Sequence, residues 1–395
     1  MKILVVAPTP FFSDRGTHIR ILEEALALER LGHTLIIGTY HIGRDIPPQV
    51  HTDIDVRRIR RWVFWYKKLE AGPDWQKIIL DIMLIRKVFF LARTEHPDII
   101  HAHLHEGALI GWIVQKALFW RKMKLVTDMH GSLTKEMVSH AYLRGNWLRA
   151  IFNRLEWWLD NRGDIAVTSS WENTLEVSAH RPSATTETIL DGVNLAYYRS
   201  LPMKGEARKR FNIPREKVIV AYTGAFIPNK GIQHMVDAFS RVYEACPEVH
   251  FVIAGFPLDM IRSLLDAQVW KQSSTIISPL LYFNLPTLLW ASDIGVDPKD
   301  TGTHQASGKT LQYMGAGLPI VCFETTNNRE YLAGGAEYAS EVTAESLADA
   351  IIRLVRDPKA REEKGLINHR RAELFSWDAS AKKLEGIYKQ VLKRK

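Results

Sequence analysis

Ser307 to Pro319 reads SGKTLQYMGAGLP. A run of small and polar residues, Thr301 to Gly308, leads into Lys309 and Thr310 and then into a short helix-like stretch that stops at Gly315-Ala316-Gly317. An apolar strand over Leu318–Phe323 follows. A loop that feeds a helix start presents unpaired backbone N–H groups and the positive end of a helix dipole, and phosphates bind there readily. The stretch therefore reads as the phosphate-binding turn of an α/β domain. It is not the P-loop of a nucleotide triphosphatase, G-x-x-x-x-G-K-[ST]. With Gly308-Lys309-Thr310 at its end, the first Gly would fall at Thr303, and Gly302 stands one place too early.

Working outward, 395 residues suffice for two or three domains with real cores. The formal charge of +8 and a pI near 9.3 point to an anionic partner. No zinc-finger or RNA-binding signature accompanies that charge, so phosphate and lipid are expected rather than nucleic acid. Two cysteines, Cys246 and Cys322, make neither a disulfide framework nor a metal site, and a reducing cytoplasmic setting is expected, extending to the inner face of a membrane. Met1 to Ala7 runs straight into folded pattern rather than a signal peptide. The apolar region Ile78 to Ala92 is broken by Asp81, Arg86 and Lys87 and is not a membrane span.

The first half opens with a buried-strand pattern, Lys2 to Ala7, a loop from Pro8 to Gly16, an amphipathic helix over Thr17–Leu31 and a second strand over Thr34–Thr39. This is a nucleotide-fold opening without G-x-G-x-x-G. In Val56 to Lys68, VRRIRRWVFWYKK, cations flank Trp62, Phe64, Trp65 and Tyr66, which suits an anionic bilayer surface; a strand and loop with its rings in the core is the alternative. Phe119-Trp120-Arg121-Lys122 and Trp147 to Trp158 repeat the pattern. The alternation of His101, His103 and His105 places all three on one strand face, where zinc is an open but lesser reading; no metal is assigned. A second strand series begins at Val218 to Gly224.

Lys309-x-x-Gln312-Tyr313-Met314-x-x-Gly317-x-Pro319 resembles the K-x-x-E-Y-M-A-x-G-x-P signature of glycosyltransferase family 4. The resemblance implies a GT-B fold: α/β, two Rossmann-like doubly wound domains facing across a cleft. It also implies retaining, metal-independent transfer from a nucleotide-sugar donor, with no cofactor. It covers nearly the whole chain, through Pro97 to His103, Lys124 to Ser132, Asp164 to Ser170 and Ile189 to Asn194. Residues 1–197, completed by 376–395, would form the acceptor-side domain, and 198–375 the donor-binding domain.

Carried over residue by residue, the resemblance puts His130 beside the transferred sugar, with Asp128 orienting it, and Gly16 where backbone approaches the donor phosphates and acceptor. Acceptor lining falls to His105 and Glu106. Gly224 and Lys230 match the family's G-R-x-x-x-x-K-G, with Ala225 at the Arg position; Lys309 is expected to supply the second cation. The family's paired glutamates fall at His304 and Gln312; Gln312 keeps an acceptor oxygen for ribose hydroxyls but loses the charge. Leu280 ends the short strand beside the nucleotide base, and the amides of Ser307, Gly308, Lys309 and Thr310 would hold phosphate. His130, Lys230 and Lys309 form the expected catalytic set. The expected acceptor is a lipid-linked molecule or an envelope polysaccharide. The departures at Ala225, His304 and Gln312 motivate one alternative, a non-catalytic sugar-nucleotide-binding partner of another transferase; another GT-B enzyme such as a sugar-nucleotide epimerase is a third reading.

Overall fold

The computed structural model describes residues 1–69, 74–139, 142–143, 145–182, 184–299 and 308–394, the side chains of 139 and 228 excepted. The chain forms two compact units, Met1–Asp191 with Trp377–Lys395, and Gly192–Ser376. The sequence reading puts the first boundary six residues later, at 197, because it counted the segment after the Asp191-Gly192 turn with the first domain.

The first unit holds a parallel sheet of strands β1 (Lys2–Ala7), β2 (Thr34–Thr39), β3 (Asp55–Arg58), β4 (Ile99–His103), β5 (Lys124–Met129), β6 (Ile165–Thr168) and β7 (Thr186–Thr188). Their order is β3-β2-β1-β4-β5-β6-β7. Helices α1 (Gly16–Arg30), α2 (Trp75–Glu95), α3 (Leu104–Ala117), α4 (Leu133–Ser139), α5 (Asn146–Asp160) and α6 (Trp171–His180) link them. Both faces of such a sheet are covered, which is why β1 is an unbroken apolar run with Ile3 to Ala7 all buried, while β4 and β5 bring His101, His103 and Asp128 into the same interior. Strand order reverses between β1 and β4, and α/β sheets place ligands beyond the carboxyl ends of the strands at such a point.

The second unit repeats the plan with β8 (Val218–Ala225), β9 (Val249–Phe256), β10 (Ser274–Ile277), β11 (Ile294–Asp297), β12 (Ile320–Phe323) and β13 (Ala336–Ala339), in the order β10-β9-β8-β11-β12-β13 and again all parallel. Its helices are α7 (Lys204–Arg210), α8 (Ile232–Ala245), α9 (Arg262–Asp266), α10 (Leu285–Trp290), α11 (Gly308–Gly315), α12 (Thr326–Leu332), α13 (Ala344–Arg356) and α14 (Pro358–Ala372). Its core is centred on Phe239 stacked on Phe251 at 4.3 Å, with Trp270 edge-on at 5.2 Å. The order reverses between β8 and β11, so the stretch that opened the sequence reading, entering α11 directly after β11, stands at the ligand-binding edge. The last helix, α15 (Trp377–Lys393), returns to the first unit and lies against α1, with Arg30 pairing to Asp378 at 2.6 Å.

Candidate functional site

In the second unit the site is built around Asp297, the last residue of β11. One oxygen lies 3.2 Å from Lys309 Nζ, and the other accepts from Thr310 Oγ1 at 3.2 Å. The first two side chains of α11 that follow Gly308 are thus tied to the end of β11. Tyr313, one turn on, accepts from Thr223 N–H at 2.8 Å and reaches Val296 O at 3.3 Å, pinning α11 to β8 and β11 together. Gly295 makes room for that ring, since a Cβ there would come within 2.7 Å of it.

Lys309 carries the charge. Its Nζ sits 4.1 Å above the Tyr222 ring and is buried, yet no well-formed hydrogen bond satisfies it among the described residues. Gly224, at φ +142°, runs beneath it, and a Cβ there would crowd Lys309 Nζ at 3.4 Å. A buried ammonium, paired only to Asp297 at 3.2 Å among the described residues and set over bare backbone at a sheet's switch point, suits an incoming phosphate.

Lys230 lies on the neighbouring loop, half-buried. Gly231 follows at φ +74°, and a Cβ there would strike Pro298 O at 1.8 Å. Only glycine lets the β8 loop press on the backbone just past Asp297. Both predicted lysines therefore belong to the same edge. Gln312 is buried, and its Oε1 accepts from Tyr198 O–H at 3.0 Å, so the oxygen assigned to ribose already has one partner. Leu280 lies three residues past β10, half-buried against the cluster of Ile213, Val252 and Leu288. His304 and Ser307 lie outside the described residues; Gly308 is exposed at the start of α11.

In the first unit, His130 follows β5 directly. Its Nε2 is 3.1 Å from His103 Nδ1 and 3.6 Å from Asp128 Oδ2, the carboxylate the sequence reading expects to orient it. His103 stacks on His101 at 4.5 Å, and His101 meets Tyr388 O–H of α15. Arg20 of α1 closes the group, donating to Asp128 at 2.9 Å and to Asp191 at 2.8 Å, with Glu24 at 3.8 Å. Burial alone would raise the Asp128 carboxyl, but Arg20 and then His130 hold it well below the usual carboxylate range. Glu24, His101, His103 and Asp128 each bring a ligand-type atom within 4.8 Å of the others. The positive charge at that place is Arg20.

His105 does not share the face of His101 and His103. The strand ends at His103, Leu104 takes φ +65°, and α3 begins, so strand alternation stops one residue too soon. His105 is buried instead 3.4 Å from Asp160, which binds His180 at 2.6 Å. Burial lowers the His105 pKa, but the Asp160 carboxylate more than compensates and raises it. Glu106 is half-buried in the first turn of α3.

Gly16 opens α1, exposed, without a positive φ, and a Cβ there would have nothing within 4 Å. Among the described residues nothing requires glycine there. Gly16→Ala is expected to leave Tm within about 1 °C of the parent while weakening substrate binding, as calorimetry and kcat/KM would show.

His103 is held down to about 3, chiefly by burial and next by His101, and His18 to about 3 by burial and then Arg15. Below the ordinary value of about 6.5 the unfolded chain takes up protons that the folded one refuses, so this stability is present at neutral pH and lost as pH falls. His105, shifted the other way, offsets part of it. Tm is expected to fall between pH 7 and pH 5, and His103→Gln to flatten that slope.

Two family patterns fit the chain: one described as Glycosyltransferase Family 4 matches residues 15–197, and one described as Glycosyl transferases group 1 matches residues 217–357. The chain belongs to glycosyltransferase family 4. Among similar proteins of this family-4 glycosyltransferase, the D-inositol 3-phosphate glycosyltransferase of Thermobispora bispora is 24% identical over 96% of this chain and 90% of its own. That of Corynebacterium glutamicum is 23% identical over 75% and 72%. Among solved structures, the sucrose-phosphate synthase of Thermosynechococcus elongatus superposes with a TM-score of 0.78 at 18% identity, covering 99% of this chain and 98% of that one. Anabaena HepE in complex with UDP and glucose superposes at 0.76 and 17%, covering 99% and 100%. These likenesses establish the GT-B fold of two Rossmann-like domains.

Proposed function

We propose that this glycosyltransferase takes a sugar from a nucleoside diphosphate donor and passes it, with retention of anomeric configuration, to an acceptor hydroxyl. The observation that carries the reading is Lys309: a buried ammonium without a hydrogen bond of its own among the described residues, at the start of α11 and above Gly224. The bond from the anomeric carbon to the β-phosphate oxygen breaks, the acceptor oxygen bonds to that carbon and its proton passes to the departing phosphate, and negative charge gathers on the diphosphate as it leaves. Lys309, Lys230 and the first amides of α11 would stabilise that charge, which is electrostatic catalysis and assigns no role to a metal. His130, held by His103 and Asp128, would hydrogen-bond the sugar near the reacting carbon.

The curated relatives named D-inositol 3-phosphate glycosyltransferases make a phosphorylated polyol the first acceptor to test. A lipid-linked or polysaccharide acceptor is the second, supported by the exposed aromatic surface of the first unit. A thermal-shift panel of UDP-, GDP- and ADP-sugars names the donor; UDP-glucose leads it because HepE has been captured with that sugar nucleotide. Transfer to D-inositol 3-phosphate or to a lipid-linked glycan, with the product anomer read by NMR, tests the reaction. Donor binding without turnover on any acceptor would favour a non-catalytic partner, and a new sugar nucleotide formed without an acceptor would favour an epimerase.

A further inference from the structure

Helix α2 is apolar on two faces. Leu80, Leu84 and Val88 enter the core against Leu4, Val6 and Tyr40. The opposite face turns Trp75, Ile79, Ile82, Arg86 and Phe90 outward, one stripe along a helix of 21 residues, about 31 Å long. Trp75 is 69% exposed and Ile82 61%. Aromatic rings extend the stripe at both ends. At the start, Trp65 donates its Nε1–H to Gln76 at 2.7 Å, which sets the exposed rings of Trp62, Phe64 and Trp65 beside the first turn. Val63 and Tyr66, between them, are buried in the core that α2 covers and anchor that turn. At the other end stand the exposed rings of Phe119 and Trp120, and Arg121 next to them donates to Arg93 O at 3.3 Å.

The surrounding charge is positive. Arg60, Arg61, Lys67, Arg86 and Arg93 are exposed. The acids of α2 are engaged elsewhere: Asp81 accepts from Tyr40 O–H at 2.5 Å, and Glu95 pairs with Lys2 at 3.3 Å. A second helix of the layer that α2, α3 and α5 make repeats the chemistry, with Trp147, Ile151 and Leu155 exposed beside Arg149 and Arg154 on α5.

We infer that the outward face of α2, with the turn Trp62–Trp65, rests on the surface of an anionic lipid bilayer. Indole rings at both ends, an aliphatic middle and exposed cations match the headgroup boundary of such a membrane. Charge disfavours the simplest alternative, a second copy of this chain, because self-pairing would set these cations against one another. The surface keeps the part of the stretch Val56 to Lys68 that runs from Arg60 to Lys67 and leaves out its first residues. Val56 to Arg58 belong to β3, where Arg57 pairs with Asp55 at 2.7 Å and Arg58 donates to the carbonyls of Phe11 and Arg44. No helix among the described residues is long and apolar enough to cross a membrane, so the helix lies along it.

The inference is independent of the transferase reading. Its residues are all in the first unit, whereas the donor residues Lys230 and Lys309 are in the second. Vesicle flotation at low salt separates the outcomes. The full chain is expected to float at least roughly tenfold more with vesicles of equal parts phosphatidylcholine and phosphatidylglycerol than with phosphatidylcholine alone, and to be released by salt. Trp75→Ser with Ile82→Gln is expected to cut flotation roughly tenfold. Both positions are exposed, so Tm should be retained. Flotation of that variant equal to the parent, failure of the parent to bind at low salt, or a parent dimer in light scattering that the variant splits would each overturn the inference.

Discussion

Lys309→Ala is expected to lower kcat/KM for the nucleotide-sugar donor by roughly 10²–10³-fold, the usual cost of removing one preorganised donor from a developing negative charge. The variant does two things at once. It takes the ammonium from the proposed diphosphate site, and it takes one partner from Asp297, a carboxylate only 1% exposed. Loss of half a buried pair is expected to cost roughly 3 kcal/mol of stability. The double variant Lys309→Met with Asp297→Asn removes both charges and is expected to recover most of that stability, because a buried pair replaced together is close to neutral. Activity should stay low in both. Recovery of activity along with stability in the double variant would mean that Lys309 serves the fold and not the donor.

Arg20→Met is expected to cost the first unit about 3–5 kcal/mol, since Asp128 and Glu24 remain buried without the guanidinium that neutralises them. For a unit of this size the loss corresponds to a fall in Tm of roughly 6–20 °C. The pH dependence identifies the cause. In the parent, Arg20 keeps the Asp128 pKa low, so its contribution is present above the unfolded value and lost on acidification. Without Arg20, only His130, His101 and His103 oppose the burial that raises this carboxyl, so its pKa is expected to rise from the parent's. The variant should then regain stability relative to the parent as pH falls below neutral. A Tm change under about 2 °C would show that the network contributes little to the fold.

The parallel sheets were legible because fully buried strands are written as runs of β-branched and apolar residues, as in Lys2–Ala7 and Val218–Tyr222. The turn of α11 after β11 was legible because Lys309, Tyr313 and Gly317 sit at fixed offsets in one helix and its exit. Asp297 carries no sequence signal of its own; its tie to Lys309 depends on how α11 folds back over β11. Arg20 was illegible for a stronger reason. In Gly16–Arg30 it reads as a solvated charge among Arg, Glu and Leu, and the partners that bury it lie 108 and 171 residues away. His105 was misplaced because no side chain caps the start of α3, so nothing in the sequence marks where alternation stops. The outward face of α2 was hidden by its own composition: with apolar residues on both sides, periodicity does not say which side meets the core.

The most direct measurement is an isothermal titration of the intact chain with UDP, GDP and ADP, repeated on Lys309→Met/Asp297→Asn. Expected is one nucleotide bound per chain, with affinity reduced at least roughly tenfold in the double variant. Equal affinity in parent and variant, or no binding of any of the three, would contradict a donor site at the junction of β8, β11 and α11.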